Sequence, residues 1–220
     1  RSLSVASATA RVQNVEALVI LGDLFDGPRP SPQILRRVQE IVETIPTIIL
    51  AGNHDQCSDA QGDNALAPLY PVAEVIDSPD VVPVGGVNLL MVPYHSGDYT
   101  EYLSEQVGDL ASQCKDPLSE KILCFHAGVI DSNTPKFLRD SQAAITRDAL
   151  FSLSDQVDIR ASFAGHWHNA RAWEKGNKEI FQAGAFAPTG FGDQGINYGT
   201  LYIFDTGTND VEFHPIPGPR

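Results

Sequence analysis

The sequence predicts an α/β fold, and three patterns in its 220 residues carry this prediction. In the first half, apolar residues at helical spacing alternate with short, continuous apolar runs. These runs end at glycine-containing turns, as buried strands often do. The second half consists mainly of short segments separated by turn residues, which predict further strands. With 42% hydrophobic and 20% charged residues, we expect residues 1–220 to form a single domain with a sizeable core.

The first half predicts two helices and two buried strands. Residues 5–15 carry apolar side chains at helical spacing, and the apolar run 17–21 ends at Gly22-Asp23. Ser31-Pro32 is a typical N-cap and first-turn pair for a second helix, whose apolar face extends to Ile45. The run 47–50 predicts the second buried strand, which ends at Ala51-Gly52.

The rest of the chain predicts one more helix and several strands. Residues 87–92 and 122–125 form apolar runs typical of strands, and the polar stretch 99–114 between them predicts a helix. We expect the short segments that follow to form an antiparallel sheet: 161–164, 171–174, 179–182, 200–204 and 211–214.

Composition narrows the class of protein. No apolar run approaches the roughly 20 residues that cross a bilayer, and residues 1–10 lack the apolar segment of a signal peptide. We therefore expect no membrane contact and a cytoplasmic location, or the host cytoplasm if a phage encodes the protein. The three cysteines match no metal-binding spacing, so we expect them as reduced, buried thiols.

The net charge of −13 argues against a broad basic surface for nucleic acid. Bound divalent cations or a basic partner subunit would offset this charge where a phosphate approaches.

Four short motifs each follow or end a predicted strand, and they contain residues suited to metal chemistry. The motifs are Gly22-Asp23-Leu24-Phe25-Asp26, Gly52-Asn53-His54-Asp55, Phe125-His126-Ala127-Gly128 and Gly165-His166-Trp167-His168. Because side chains at the strand ends of an open α/β sheet converge on one crevice, we expect them to meet. Carboxylate, amide and imidazole donors suit divalent cations, and no cysteine takes part, which disfavours a structural thiolate zinc site.

In this order, the four motifs resemble those of calcineurin-like metallophosphoesterases, over nearly the whole chain. The first motif and the later stretch 184–193 are similar to the SbcD-like DNA nuclease subunits of that superfamily, and Pro93-Tyr94 after a strand also fits. The resemblance implies a four-layer sandwich, with two central mixed sheets flanked by helices. It also implies a metal-dependent DNA exonuclease or endonuclease subunit of a recombination or repair complex.

Carried over motif by motif, the resemblance implies two divalent metal ions bridged by Asp23. Asn53, His126 and His166 would complete one site, and His168 would bind the other ion. Metal-activated hydroxide would attack phosphorus in line. The mixed oxygen and nitrogen donors suit manganese among several first-row ions.

Two further residues carry over as catalytic groups rather than ligands. His54 would protonate or stabilise the leaving group without binding metal, and Asp26 would orient the His54 ring through a carboxylate–imidazole contact. The resemblance also implies partners: DNA, an SMC-like ATPase subunit and, as a further option, a second copy of the chain.

The family begins with an Asp-x-His motif at the end of its first strand, and this sequence has no Asp or His before Asp23. Three interpretations stay open. The motif lies upstream of Arg1, so that the chain lacks the first strand. The protein works with one metal or has lost catalysis while keeping the fold. Alternatively, His95 or Asp98 supplies a compensating ligand. We also expect no C-terminal capping domain.

The sequence leaves two alternatives to a DNA nuclease. The first is the same chemistry on a small-molecule phosphodiester or phosphomonoester, which the acidic composition favours. The second is a catalytically impaired scaffold of the same fold, which the incomplete motif set favours.

If the missing motif lies upstream, the 220-residue chain offers the second metal only Asp23 and His168. We expect this chain to hold at most one tightly bound divalent ion, and a longer chain with an Asp-x-His strand to hold two. Elemental analysis of both proteins measures this directly. Two tightly bound ions in the 220-residue chain would mean that another residue supplies the missing ligands, with His95 the first to replace.

Overall fold

Helices and strands alternate along the first half of the chain, as the apolar pattern predicts. The computed structural model describes residues 1–58, 63–116, 118–139, 143–186 and 199–216. The helices are α1 Ser2–Val12, α2 Pro32–Val42, α3 Tyr99–Gln113, α4 Lys136–Arg139 and α5 Arg147–Val157, with a 3-10 turn at Ala67–Leu69. The strands are β1 Leu18–Ile20, β2 Thr47–Leu50, β3 Glu74–Ile76, β4 Asp80–Val84, β5 Val87–Val92, β6 Lys121–Phe125, β7 Gly128–Ile130, β8 Ala144–Thr146, β9 Ile159–Ala164, β10 Arg171–Lys175, β11 Lys178–Gln182, β12 Thr200–Phe204 and β13 Val211–Pro215.

Two sheets dominate the described residues. The first is parallel, in the order β1-β2-β3. The second has the order β10-β11-β9-β6-β5-β4 and is mixed, because its four inner strands run parallel and its two edge strands run antiparallel to their neighbours. Two short ladders accompany them: β7 pairs parallel with β8, and β12 pairs antiparallel with β13.

The side chains of β2 alternate between two faces, and their contacts show how the sheets and helices stack in layers. Ile48 and Leu50 face the six-stranded sheet and pack with its Met91 and Ile122, while Ile49 points the other way and packs against α2. The far face of the six-stranded sheet is covered by α3 and α5, which share one buried cluster with β5 and β6. The order helix, sheet, sheet, helix confirms the expected fold class.

One expectation for the second half is wrong. The segment 161–164 was predicted to lie in an antiparallel sheet, but β9 runs parallel to both β6 and β11. The reason is α5, a helix that the prediction from apolar pattern did not include. It is a crossover that returns the chain in the same direction. The segments 171–174 and 179–182 pair antiparallel as expected, and so do 200–204 and 211–214.

Two of the three cysteines agree with the expectation of buried, reduced thiols, and the third does not. Cys114 and Cys124 are free and buried as expected, whereas Cys57 is free but exposed.

None of the described helices combines the length and apolarity needed to cross a bilayer. In the stretch 184–193 that resembles the nuclease branch, residues 187–193 lie outside the described residues.

The predicted start of α2 is present in detail. Ser31 is the N-cap, its Oγ accepts a hydrogen bond from the Ile34 amide at 3.3 Å, and Pro32 occupies the first helical position. This cap satisfies one of the amides that a helix start leaves without a partner.

We expect Ser31→Ala to lower the free energy of unfolding by about 1 kcal/mol, because the cap bond is lost. Urea unfolding at neutral pH measures this change. Ser104→Ala, at an exposed position within α3, is the matched control and should be neutral or slightly stabilising. Equal effects of the two substitutions would contradict the capping role.

Candidate metal centre

The four motifs predicted to meet do meet, at the carboxyl ends of two strands from each main sheet. Asp23 follows β1 and Asn53 follows β2 in the parallel sheet, while His126 follows β6 and His166 follows β9 in the six-stranded sheet. The site therefore lies where the two sheets face each other, as strand-end side chains of α/β sheets do.

The donor atoms of these side chains form one close cluster. Nε2 of His126 lies 3.2 Å from Oδ2 of Asp23 and 3.2 Å from Oδ1 of Asn53, and that amide oxygen lies 3.0 Å from Nδ1 of His166. Adjacent ligands of a tetrahedral or octahedral ion at roughly 2.0–2.2 Å are about 2.8–3.6 Å apart. The spacing of the cluster fits a single first-row divalent ion.

A backbone contact identifies which nitrogen of His126 faces the cluster. Nδ1 lies 2.6 Å from the carbonyl oxygen of Leu21, so Nδ1 carries a proton and donates it to that carbonyl. In the neutral ring Nε2 then carries a lone pair, facing the Asp23 carboxylate and the Asn53 carbonyl oxygen. Three lone pairs in contact need positive charge between them, from a proton on Nε2 or from a cation.

The electrostatics of His166 and Asp23 suit metal ligands. Burial lowers the pKa of His166 to about 4, with nearby His126 acting in the same direction, so the ring is neutral at pH 7 and its lone pair is available. Burial acts to raise the pKa of Asp23, but contact with His126 and the His54 amide together bring that pKa below its usual value. The carboxylate is therefore ionised.

The backbone bends sharply to present these ligands. Asp23 has a φ of 51° and His166 a φ of 78°, both in the left-handed region that residues other than glycine rarely adopt. A Cβ at Gly22 would collide with the His126 ring, and one at Gly52 would collide with the Asp23 carboxylate. The glycines of the first two motifs thus leave room for ligands that come from other strands.

Asp55 joins the two ligand loops of the parallel sheet. Its side chain is fully buried, and its two oxygens accept hydrogen bonds from the Phe25 amide at 3.1 Å and the Gly52 amide at 3.0 Å. Burial raises the pKa of Asp55 to about 6, with the Asp23 carboxylate adding to the rise and the two amides opposing it. The bond from the Phe25 amide to Asp55 joins residues 30 positions apart, so no local sequence pattern predicts it.

His54 lies beside the cluster and outside it. Its ring is exposed, its amide donates to Oδ1 of Asp23 at 2.9 Å, and its Nδ1 lies 3.3 Å from the backbone carbonyl of Asp26. The expected Asp26 contact is therefore present, but the structure gives it to the carbonyl rather than to the predicted carboxylate. A carbonyl can hold a ring in place equally well, because it accepts from an imidazole N–H.

The remaining candidate ligands lie further out. In the described part of the chain, Asp23, His126 and His166 form a group whose donor atoms lie within 4.8 Å of one another, and His168 is not a member of it. His168 does line a cavity together with Asp23 and His166. His95 is exposed and stacks on Tyr102 at 4.0 Å. Asp98 caps α3 by accepting from two amides. The structure therefore gives neither His95 nor Asp98 a place in the cluster.

Two contacts that support the histidine loops had no signal in the sequence. The buried Gln182 side chain accepts from the Val129 amide at 3.1 Å and donates to the Asn169 carbonyl at 2.6 Å, which ties β7 to the loop after His168. The Trp167 ring packs on Gly128, where any Cβ would collide with it. This contact packs the loop that carries His166 against the start of β7.

Comparison with known proteins relates the sequence of this chain to phosphoesterases. A sequence profile of the family described as Calcineurin-like phosphoesterase matches residues 4–170. A curated relative, the DNA double-strand break repair protein Mre11 of Methanocaldococcus jannaschii, is 28% identical over 115 residues, which are 49% of this chain and 31% of that protein. The match thus spans less than a third of the relative's length.

Solved structures share the fold at low sequence identity. The protein TT1561 of Thermus thermophilus is 13% identical with a TM-score of 0.64, covering 98% of this chain and 93% of that one. Phosphopantetheinyl hydrolase of Mycobacterium tuberculosis is 12% identical with a TM-score of 0.50, covering 76% of this chain and 77% of that one.

We expect Asp55→Asn to weaken Mn²⁺ binding by about 10- to 100-fold, because the amide NH₂ cannot accept from a backbone N–H and one loop is released. Isothermal titration calorimetry measures the affinity. Asp109→Asn, on the exposed side of α3, is the control and should bind like the unsubstituted chain. Equal affinities of the two variants would show that Asp55 does not position the ligand loops.

Proposed function

Because this chain belongs to the calcineurin-like phosphoesterase family, we propose that it is a metal-dependent phosphodiesterase that hydrolyses DNA. The observation that carries the metal chemistry is the cluster of Asp23, Asn53, His126 and His166, whose donor atoms are spaced as the ligands of one divalent ion are. The DNA substrate is supported by the sequence match to an Mre11 protein that is named for double-strand break repair.

We propose that Asp23, Asn53, His126 and His166 would hold one divalent ion, and that His168 together with Asp23 would hold a second. When bound, a divalent cation supplies an acidified water and neutralises phosphate charge. Manganese is our proposal for its identity, since the donors are mixed oxygen and nitrogen atoms. The protein's own contribution is to hold these donors at fixed positions and to keep the His126 proton on Nδ1.

We assign proton transfer to His54. The Asp26 carbonyl at Nδ1 keeps a proton on that nitrogen, so Nε2 is the atom free to exchange a proton with substrate. Its exposed ring and its amide contact with Asp23 place it at the solvent side of the cluster, where a leaving group would depart. Asp26 acts as a positioning residue through its backbone.

As partners we propose DNA and, after the SbcD-like resemblance, an SMC-like ATPase subunit, with a second copy of the chain as a further option. The net charge of −13 means that the chain alone offers little attraction for a phosphate backbone. A basic partner subunit would supply the attraction for the phosphate backbone.

The same charge supports a second candidate function, hydrolysis of a small phosphodiester or phosphomonoester. Such a substrate carries few charges and needs no extended basic surface. Loss of catalysis in a scaffold of the same fold is a third candidate, since the described residues contain one candidate group of metal ligands, Asp23, His126 and His166.

Three substrates assayed with Mn²⁺ separate these candidates: linear duplex DNA, single-stranded DNA and a chromogenic diester. Cleavage of DNA supports the nuclease proposal. Cleavage of the chromogenic diester alone supports the small-molecule candidate. No cleavage by a chain loaded with metal supports the scaffold and contradicts our proposal.

We expect His54→Ala to retain its metal and to lose about 10²- to 10⁴-fold in turnover, because general acid catalysis is removed while the cluster of ligands stays intact. Elemental analysis and the preferred substrate of the assay above give the two readouts. His95→Ala is the control, since that ring is exposed and stacks on Tyr102, and it should keep both properties. Loss of metal from His54→Ala would mean that His54 is a ligand.

A further inference from the structure

The indole ring of Trp167 lies beside the metal centre with one face covered. The ring atoms nearest to the place where Gly128 would carry a Cβ are Cε2 and Cδ2, the two carbons that its five- and six-membered rings share. Because other ring atoms surround this shared bond in the plane, Gly128 must contact one face of the ring. The residue is nevertheless only half-buried. Its exposed part therefore belongs to the opposite face and to the edges of the ring.

The backbone holds this ring in place. The Trp167 amide donates to the Gly165 carbonyl at 3.1 Å, and His166 between them has a φ of 78°. A hydrogen bond from residue i+2 to residue i across such a positive φ is typical of a γ-turn. Trp167 is thus fixed by a tight turn at its backbone and by Gly128 at its ring, so little side-chain freedom is lost when a ligand contacts it.

The ring lies in the wall of a cavity next to the candidate ligands. Trp167 lines the same cavity as His54 and His166. In the chain it stands between His166 and His168, and consecutive Cα atoms are about 3.8 Å apart. A phosphate held at the candidate metal centre would therefore have the indole ring as a neighbour, and so would the group that is esterified to that phosphate.

Charge alone does not hold a nucleic acid on this chain. The net charge is −13, and attraction of a phosphate backbone needs basic side chains. Stacking of a base on an aromatic ring adds affinity without charge, and it accepts any base because each base has a flat face. A fixed, half-exposed indole ring next to a phosphate site suits this role.

We propose that the uncovered face of Trp167 stacks on the nucleobase next to the phosphate that is hydrolysed, so that the substrates are nucleotide phosphoesters with an unpaired base. A base reaches this ring only after it leaves the stack of a duplex, which costs free energy. Single-stranded DNA and unpaired duplex ends therefore suit the site better than a blunt duplex does. The inference rests on the proposed function, because it takes the phosphate to bind at the candidate metal centre.

The test compares two phosphonates, the analogues of deoxyadenosine 5′-monophosphate and of 2-deoxyribose 5-phosphate, whose C–P bonds are not hydrolysed. The first carries an adenine base and the second does not. Isothermal titration calorimetry with the Mn²⁺-loaded chain measures the affinity for each. In the unsubstituted chain we expect loss of the base to weaken binding by about 5- to 100-fold.

Three variants separate stacking from packing. Trp167→Leu keeps an apolar contact with Gly128 but has no aromatic face, so we expect it to bind the two phosphonates alike. Trp167→Phe keeps an aromatic face and should retain part of the preference for the base. Phe213→Leu makes the same kind of change at an exposed position of β13 and should retain the full preference. The affinity for Mn²⁺, measured for each variant, should stay unchanged.

Fluorescence gives a second readout with the Trp167 ring in place. The chain has two tryptophans, so Trp173→Phe leaves Trp167 as the sole one. We expect the adenine phosphonate to change the emission, with saturation at the affinity that calorimetry gives, and the base-free phosphonate to leave it nearly unchanged. This readout covers the case in which Trp167→Leu does not fold, and unchanged emission at saturation overturns the inference.

The other outcomes also decide. A preference for the base that persists in full in Trp167→Leu overturns the inference. Equal binding of the two phosphonates by the unsubstituted chain overturns it too, but leaves the phosphoesterase function standing. Loss of Mn²⁺ binding in both Trp167→Leu and Trp167→Phe would mean that the ring serves only to position His166, against the inference. Binding of neither phosphonate at millimolar concentration contradicts the proposed function together with the inference.

Discussion

Nε2 of His126 lies 3.2 Å from the Asp23 carboxylate and 3.2 Å from the Asn53 amide oxygen, on a side chain with no exposure to solvent. These three atoms repel one another unless positive charge lies between them. The surrounding structure holds them together against that repulsion. Leu21 fixes the His126 ring from behind, and Asp55 ties the loops that carry the two oxygen ligands. The glycines before Asp23 and Asn53 keep the approach open.

The arrangement also explains why the backbone is strained at two of the candidate ligands. Left-handed conformations at Asp23 and His166 are each unfavourable by an amount of order 1 kcal/mol or more for residues with a Cβ. They occur at the two positions where a strand must turn abruptly and still direct a side chain inward. Asn14, Asp158 and Asn209 also have positive φ, so the centre holds two of the five left-handed residues with a Cβ in the described part of the chain.

The sequence predicted the parts of the site that rest on local pattern. The run 47–50 matches β2, and the candidate ligands Asp23, Asn53, His126 and His166 meet because each follows a strand. The sequence did not predict the features that depend on contacts between residues far apart in the chain. The parallel direction of β9 depends on packing of α5, and the atom of Asp26 that faces His54 depends on a loop conformation. The α5 helix does leave a signal that could have predicted it, namely the N-cap Thr146 and the buried Leu150 and Leu153, whereas the loop conformation of Asp26 leaves none.

The candidate ligands come from two different sheets, and this has a consequence for the stability of the chain. Asp23 and Asn53 belong to the parallel sheet, while His126 and His166 belong to the six-stranded sheet. An ion held by all four therefore adds a link between two layers that also meet through apolar contacts such as Leu50 with Met91 and through the His126–Leu21 hydrogen bond. Each tenfold excess of free ion over its dissociation constant then adds about 1.4 kcal/mol to the free energy of unfolding. The stability of this chain becomes a function of the metal supply around it.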